Sequence, residues 1–158
     1  MADLAPGTIE RVELRRIAIP LVSPFRTSFG VERERDILLG RVDWRGPDGQ
    51  RSEGWGECVA LAEPTYSPEY VEGAQHVMEA HLLPLVLAHG PLEAADVATI
   101  LSPIHGHPMA KGAIEMAVLD AQLRGAGISF GEHIGATAQR IPSGVSVGIH
   151  DEVDDLLA

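Results

Sequence analysis

Four histidines lie in two pairs that are close in sequence, His76 with His81 and His105 with His107. Two histidines at a suitable spacing can bind one metal ion. Helical zinc motifs place two histidines four residues apart, so that both imidazoles lie on one face of the helix. Neither pair has that spacing, and neither is accompanied by a cluster of acidic residues or thiols. Exposed or helix-capping histidines are therefore expected, and no metal ligand is predicted in this chain.

The other residues of chemical interest are Cys58 and three charged residues of one predicted helix, Lys111, Glu115 and Asp120. The sequence fixes no histidine beside Cys58, so a buried thiol at a strand end is expected rather than a nucleophile. Lys111 and Glu115 are four residues apart, which predicts an ion pair along the helix. Glu115 and Asp120 are five apart, which turns their side chains away from each other and argues against an acid–base couple. Asp120 is expected to be a structural hydrogen-bonding residue, and no catalytic residue is predicted.

Composition limits the class of protein. The chain has 158 residues, of which 45% are hydrophobic, enough for one folded domain with a core. Twelve Lys and Arg against 23 Asp and Glu give a net charge of -11, which repels nucleic-acid phosphates and anionic lipid. Nucleic acid and membranes are therefore not expected as partners.

The expected compartment is the cytoplasm. A single cysteine excludes an internal disulfide, and no basic-then-apolar signal precedes the first periodic segment. No apolar run approaches the roughly 20 residues that a membrane-spanning helix requires.

The elements that must position any site begin with three predicted strands at residues 9–19, 35–44 and 51–58, after a loose N-terminus at 1–8. The turn at residues 46–49 joins the second and third strands in a hairpin. Two apolar loops flank them, at residues 21–30 and 59–67. In a three-stranded antiparallel meander these loops leave the sheet at the same end, so we expect them to be neighbours. Apolar loops must pack inward, meet another surface or close over a ligand.

Helical periodicity follows. Ser67 is a plausible N-cap for a helix that ends near residue 88, and shorter helices are predicted at 92–101 and 129–134. Residues 108–124 are small and apolar around nearly the whole helix, which predicts a buried central helix. Residues 141–149 have strand character and Asp151 begins another helix, so the natural protein is expected to continue past Ala158.

Several motifs together resemble one family. The segment IEMAVLDAQLRG at 114–125, followed by residues 127–130 and Gly135, is similar to the signature helix of the enolase superfamily in its muconate-lactonising branch. The motifs PFRTSFG (24–30), GWGEC (54–58), MAKG (109–112) and GVSVG (144–148) resemble the o-succinylbenzoate synthases that also racemise N-acylamino acids.

The resemblance implies an α+β fold, with a three-stranded antiparallel meander followed by helices as the N-terminal capping domain. This domain would span residues 9–135. Residues 136–158 would begin a (β/α) barrel whose first strand is 141–149, the rest of the barrel being absent from this chain.

The resemblance also implies an activity. A barrel lysine would remove the proton next to a carboxylate, and Mg²⁺ held by barrel carboxylates would stabilise the enediolate. The lyase reaction dehydrates a cyclohexadiene carboxylate to o-succinylbenzoate in menaquinone biosynthesis, whereas the isomerase reaction racemises N-acylamino acids. These groups belong to later barrel strands, so the resemblance places no catalytic or metal residue here, and this chain alone is expected to be inactive.

Substrate specificity is the role that the resemblance places within this chain. Phe25, Phe29, Leu61 and Tyr66 match substrate-pocket residues, and Ser146 matches a polar contact at the pocket wall. The implied partners are a small-molecule carboxylate substrate, the missing barrel and further copies of the full-length chain in a homo-oligomer. The alternative is a non-catalytic, cap-like binding module that dimerises through the two apolar loops.

Overall fold

A computed structural model describes residues 4–28, 30–145, 149 and 153–154 of the chain. Three antiparallel strands lie in the order β1-β2-β3, with β1 at Thr8–Thr27, β2 at Gly30–Arg45 and β3 at Arg51–Cys58. Helices follow along the described chain: α1 (Val71–Val77), α2 (Leu83–His89), α3 (Ala94–Ile100), α4 (Pro108–Ala126) and α5 (Phe130–His133). The predicted meander followed by helices is confirmed.

The first two strands are longer than predicted, because residues 21–30 are not a loop. Across the predicted loop the strand pairing is interrupted once, between Pro20↔Glu34 and Phe25↔Glu32, and then continues to Thr27↔Gly30. Pro20 does not end the strand because β1 lies at the edge of the sheet, where a missing backbone donor is tolerated. The predicted apolar loop is therefore the end of a long hairpin.

β3 is much shorter than its neighbour, and this difference creates a projecting arm. The last rung shared with β3 is Leu38↔Cys58, whereas β1 and β2 remain paired beyond it. We call residues 17–27 of β1 and 30–37 of β2 the arm. In the described structure the arm is two-stranded, and the side of β2 that β3 would cover is open.

The core forms where α4 lies directly against β3. The side of α4 that faces the sheet carries small buried residues, including Ala113 and Ala117. Across from them, β3 has Gly54 and Gly56, where an added Cβ would stand 2.2 Å from the Ala117 oxygen and 1.9 Å from the Ala113 oxygen. The prediction of a buried central helix is confirmed.

The helix boundaries differ from the prediction mainly at the first helix. The N-cap of α1 is Tyr70 rather than Ser67. The Ser67 hydroxyl donates instead to the Glu69 carbonyl at 3.0 Å. A π-helical segment, Met78–Leu82, joins α1 to α2 without a break. α5 begins with a capping box in which Ser129 and Glu132 bond to each other's backbone N–H groups.

The predicted strand at residues 141–149 is not observed in its described part. Residues 141–145 and 149 have no strand pairing, and residues 146–148 lie outside the described residues. Val153 and Asp154 are helical, at the place where a helix is predicted. Within the described residues, none of the helices combines the length and the apolar composition needed to cross a membrane.

Candidate functional site

A cleft of about 280 Å³ lies between the arm and the 59–67 loop. It exists because β3 ends at Cys58, so the loop that follows passes the open side of β2. The prediction that the two apolar segments are neighbours is confirmed. Residues of both the arm and the loop line the cleft. They are Thr27, Gly30, Val31, Glu32, Glu34, Arg35, Asp36, Leu61, Ala62, Glu63 and Thr65.

The loop wall of the cleft is anchored to the helices. The Val71 N–H donates to the Leu61 carbonyl at 2.9 Å and closes the loop at its base. Glu69 is only 6% exposed, and its carboxylate accepts hydrogen bonds from the N–H groups of Met109 at 2.9 Å and Ala110 at 3.1 Å. These donors belong to the first turn of α4, whose partial positive charge favours an anion. The loop is therefore fixed to the central helix.

The arm wall carries paired charges. Arg16 donates to both carboxylate oxygens of Asp36, and these hydrogen bonds hold the pKa of Asp36 below its usual value. Arg35 pairs with Glu32 at 3.2 Å within β2. Two further lining carboxylates, Glu34 and Glu63, form no ion pair with any described residue. The cleft therefore has excess negative charge.

The structure brings one predicted pocket residue into the cleft. Leu61 lines it and is half-buried. Phe25 and Tyr66 are 53% and 74% exposed and do not line the cleft, although Phe25 is the strand partner of the cleft residue Glu32. Phe29 and Ser146 lie outside the described residues. The assignment of these five residues to a substrate pocket stays a prediction.

The acidic lining residues were not predicted, although the sequence contains a signal for three of them. Glu32, Glu34 and Asp36 alternate with Arg33 and Arg35. Successive side chains of a strand point to opposite sides, so this alternation gathers the carboxylates on one face of β2. The signal was missed because the second strand was predicted to begin at Arg35, which left Glu32 and Glu34 outside it.

The chain is similar in sequence to enzymes of known activity. No family model matches the chain. An N-succinylamino acid racemase of Amycolatopsis sp. is 51% identical over 146 residues, which cover 92% of this chain and 38% of that protein. An o-succinylbenzoate synthase of Geobacillus kaustophilus is 37% identical over 149 residues, covering 94% of this chain and 39% of that protein. The chain thus spans about two fifths of the length of these relatives.

A solved structure has the same fold as this chain. A member of the enolase superfamily from Listeria innocua superposes with a TM-score of 0.83 at 31% identity, over 96% of this chain and 40% of that one. This chain is similar to members of the enolase superfamily in both sequence and fold. Its meander and helices are the capping fold of the superfamily, in the branch that contains the synthases and racemases above.

The described part of the chain does not form a magnesium site. Among the described residues, no three His, Cys, Asp or Glu side chains are arranged so that they could hold a metal ion together. In the cleft, Glu32 and Asp36 are already engaged by Arg35 and Arg16. The carboxylates of the cleft therefore do not fit a magnesium site, which the resemblance places on barrel carboxylates instead.

The remaining residues of chemical interest have structural roles. Burial raises the pKa of the Cys58 thiol, as expected for an inert cysteine. Asp120 accepts a hydrogen bond from the Trp55 N–H at 2.9 Å, which confirms its structural role. The predicted ion pair between Lys111 and Glu115 is wrong: the Lys111 ammonium donates to the Ile104 carbonyl instead, because the chain before α4 folds back over it.

Proposed function

We propose that this chain is the substrate-capping, specificity-determining part of an Mg²⁺-dependent o-succinylbenzoate synthase or N-acylamino acid racemase. The observation that carries the proposal is the cleft between the arm and the 59–67 loop, in a chain 51% identical to part of an N-succinylamino acid racemase. Its substrate would be a small carboxylate, either a cyclohexadiene carboxylate of menaquinone biosynthesis or an N-acylamino acid.

In this proposal the chain selects the substrate and excludes water. Leu61 and Val31 supply apolar lining. Phe25, Phe29 and Tyr66 match substrate-pocket residues of the family and would cover the non-reacting end of the substrate. A closed apolar wall strengthens electrostatic interactions at the reacting centre and discriminates substrates by shape. Ser146 would add a polar contact.

The chemical step is assigned to the part of such an enzyme that this chain does not span. That part would hold Mg²⁺ and the acid–base residues, so the 158-residue chain alone would be inactive. The whole enzyme would be cytoplasmic and homo-oligomeric. A preparation confirmed by intact mass to end at Ala158 is tested for Mg²⁺-dependent dehydratase and racemase activity, and activity there would contradict this assignment.

The specificity role is tested in the full-length enzyme with Phe25→Ala and Tyr66→Ala. We expect the ratio of kcat/KM values for the dehydration and racemisation substrates to change about tenfold or more, because the lost surface contacts the part in which the two substrates differ. The melting temperature should change little, since both side chains are largely exposed. The matched control is Val22→Ala, an exposed arm residue that does not line the cleft. If kcat/KM fell equally for both substrates and the melting temperature fell strongly, Phe25 and Tyr66 would instead have a packing role.

The exposed apolar residues of the two segments favour a second candidate, a dimerisation module. Val22, Phe25 and Val59 are exposed large apolar side chains near the arm end and in the loop. Under this candidate the chain alone would form a dimer that Phe25→Asp dissociates, as measured by sedimentation. If sedimentation shows that the chain is monomeric at micromolar concentration, the dimerisation module is excluded.

A further inference from the structure

The arm lacks the support that a third strand would give. A two-stranded hairpin is at most marginally stable in water, and pairing alone leaves its angle to the rest of the sheet free to change. The arm nevertheless forms one wall of the cleft, so some interaction must fix its position relative to the loop.

Arg16 and Asp36 lie at the boundary where the third strand ends. Arg16 is the strand partner of Leu38, the last residue of β2 that also pairs with β3. Asp36 is the strand partner of Ala18, inside the arm. An interaction between them therefore joins the three-stranded sheet to the two-stranded arm diagonally across β1 and β2.

The contact between these two side chains is bidentate. The Arg16 Nε lies 3.0 Å from each carboxylate oxygen of Asp36, and its Nη2 lies 2.6 Å from Oδ2. Two parallel donors fix the orientation as well as the distance, which a lysine could not do. By contrast, the pair Arg35–Glu32 lies within β2 and does not bridge the strands.

The surroundings favour this arrangement. The Glu72 carboxylate of α1 adds to the field that raises the pKa of Arg16, so the helix layer also favours the guanidinium in this position. Asp36 lines the cleft. The pair therefore connects the wall of the cleft to the body of the domain.

We propose that Arg16 and Asp36 are positioning residues that set the angle of the arm and thereby the width of the cleft. This inference rests on the proposed function for its catalytic consequence, but its structural part does not. Neither residue is a catalytic residue, since each acts through the position of the arm.

The structural part is tested on the 158-residue chain by amide hydrogen exchange. In Arg16→Gln, exchange in the described arm residues should accelerate about fivefold, the upper range for an exposed ion pair, while exchange in β3 stays unchanged. Arg16→Lys, which keeps the positive charge but lacks the two parallel donors, should restore the protection only in part. The control Arg11→Gln removes an ion pair within β1 and should leave the arm unchanged. Unchanged arm exchange in Arg16→Gln, or equal acceleration in β3, overturns the proposal.

The catalytic part is tested in the full-length enzyme. Arg16→Gln should raise KM about threefold or more with little change in kcat, and Arg16→Lys should recover the original KM only in part. Faster arm exchange without a change in KM overturns the role in the cleft. A wild-type enzyme inactive on both substrates contradicts the proposed function, while the exchange experiment still decides the structural role.

Discussion

A Cβ atom on Gly56 would stand 1.9 Å from the carbonyl oxygen of Ala113, so the backbones of β3 and α4 touch at this point. We expect Gly56→Ala to lower the free energy of unfolding by about 3 kcal/mol, because neither backbone can move without disturbing the sheet or the helix. Urea denaturation of the chain measures this difference.

Gly112→Ala is the matched control, since an added Cβ there meets nothing within 4 Å and the residue lies in the interior of α4. Alanine is a better helix former than glycine, so this variant should be neutral or more stable by up to about 1 kcal/mol. If both substitutions had the same effect, close packing would not explain the glycine in β3.

Glu69 should stabilise the fold through the start of α4. Replacing it with Gln removes the charge and one of the two acceptor oxygens, so that one N–H group loses its partner. This should cost about 1–2 kcal/mol of unfolding free energy. Thermal and urea unfolding give the value. Glu115→Gln, at an exposed position of the same helix, should stay within about 0.5 kcal/mol of the original. A Glu69 variant as stable as this control would contradict the anchoring role.

The Asp36 carboxylate should make stability depend on pH in a defined direction. Its pKa is lower in the folded chain, so its contribution is fully present above the unfolded value of about 3.9 and is lost as the pH falls through the folded pKa. The difference in unfolding free energy between the original chain and Asp36→Asn should therefore be constant at neutral pH and shrink below about pH 4. Other carboxylates with lowered pKa values, such as Glu13, are common to both proteins and cancel. A difference that grows towards acid pH would have the wrong sign.

The negative charge of the cleft should slow the capture of an anionic substrate. In the full-length enzyme, Glu63→Gln should lower KM about twofold at low ionic strength, since one charge at roughly 10 Å in water is worth about 0.4 kcal/mol. The difference should vanish in high salt, where such a charge is screened. Glu79→Gln, on the helices and outside the cleft, should not change KM. An effect of Glu63→Gln that persists in 1 M salt would indicate a direct contact instead.

Cys58 should be protected from thiol reagents. It is 1% exposed, and burial raises the pKa of its thiol, so both access and thiolate content are low. Labelling by a maleimide at neutral pH should be at least about a hundredfold slower in the folded chain than in urea, given that it requires opening of the core. Rapid labelling of the folded chain would show that the end of β3 opens readily.

The sequence predicts the elements of this fold better than their contacts. The uninterrupted small and apolar residues of α4 identify a central helix, and the glycines at 54 and 56 are visible in the same sequence. Their contact is not visible, because it depends on the three-dimensional approach of two segments some 60 residues apart.

The arm shows why two prolines led to a wrong prediction of where β1 ends. Pro20 and Pro24 indicate the end of a strand, but β1 is an edge strand, and its pairing with β2 resumes at Phe25. Glu69 was missed for a similar reason: nothing in the residues around it shows that its carboxylate reaches a helix that begins about 40 residues later. The cleft follows from the different lengths of β2 and β3, which strand propensity does not determine.

The open side of β2 has a consequence for solubility. Unpaired strand edges bind the strands of other molecules and start aggregation. In the arm, the strand at this edge carries the charged residues Glu32, Arg33, Glu34 and Arg35. Pairing of two molecules along this edge would remove water from these charges, and the loss of solvation free energy opposes such pairing. The residues that give the cleft its charge would thus also keep exposed hairpins from joining while the protein folds.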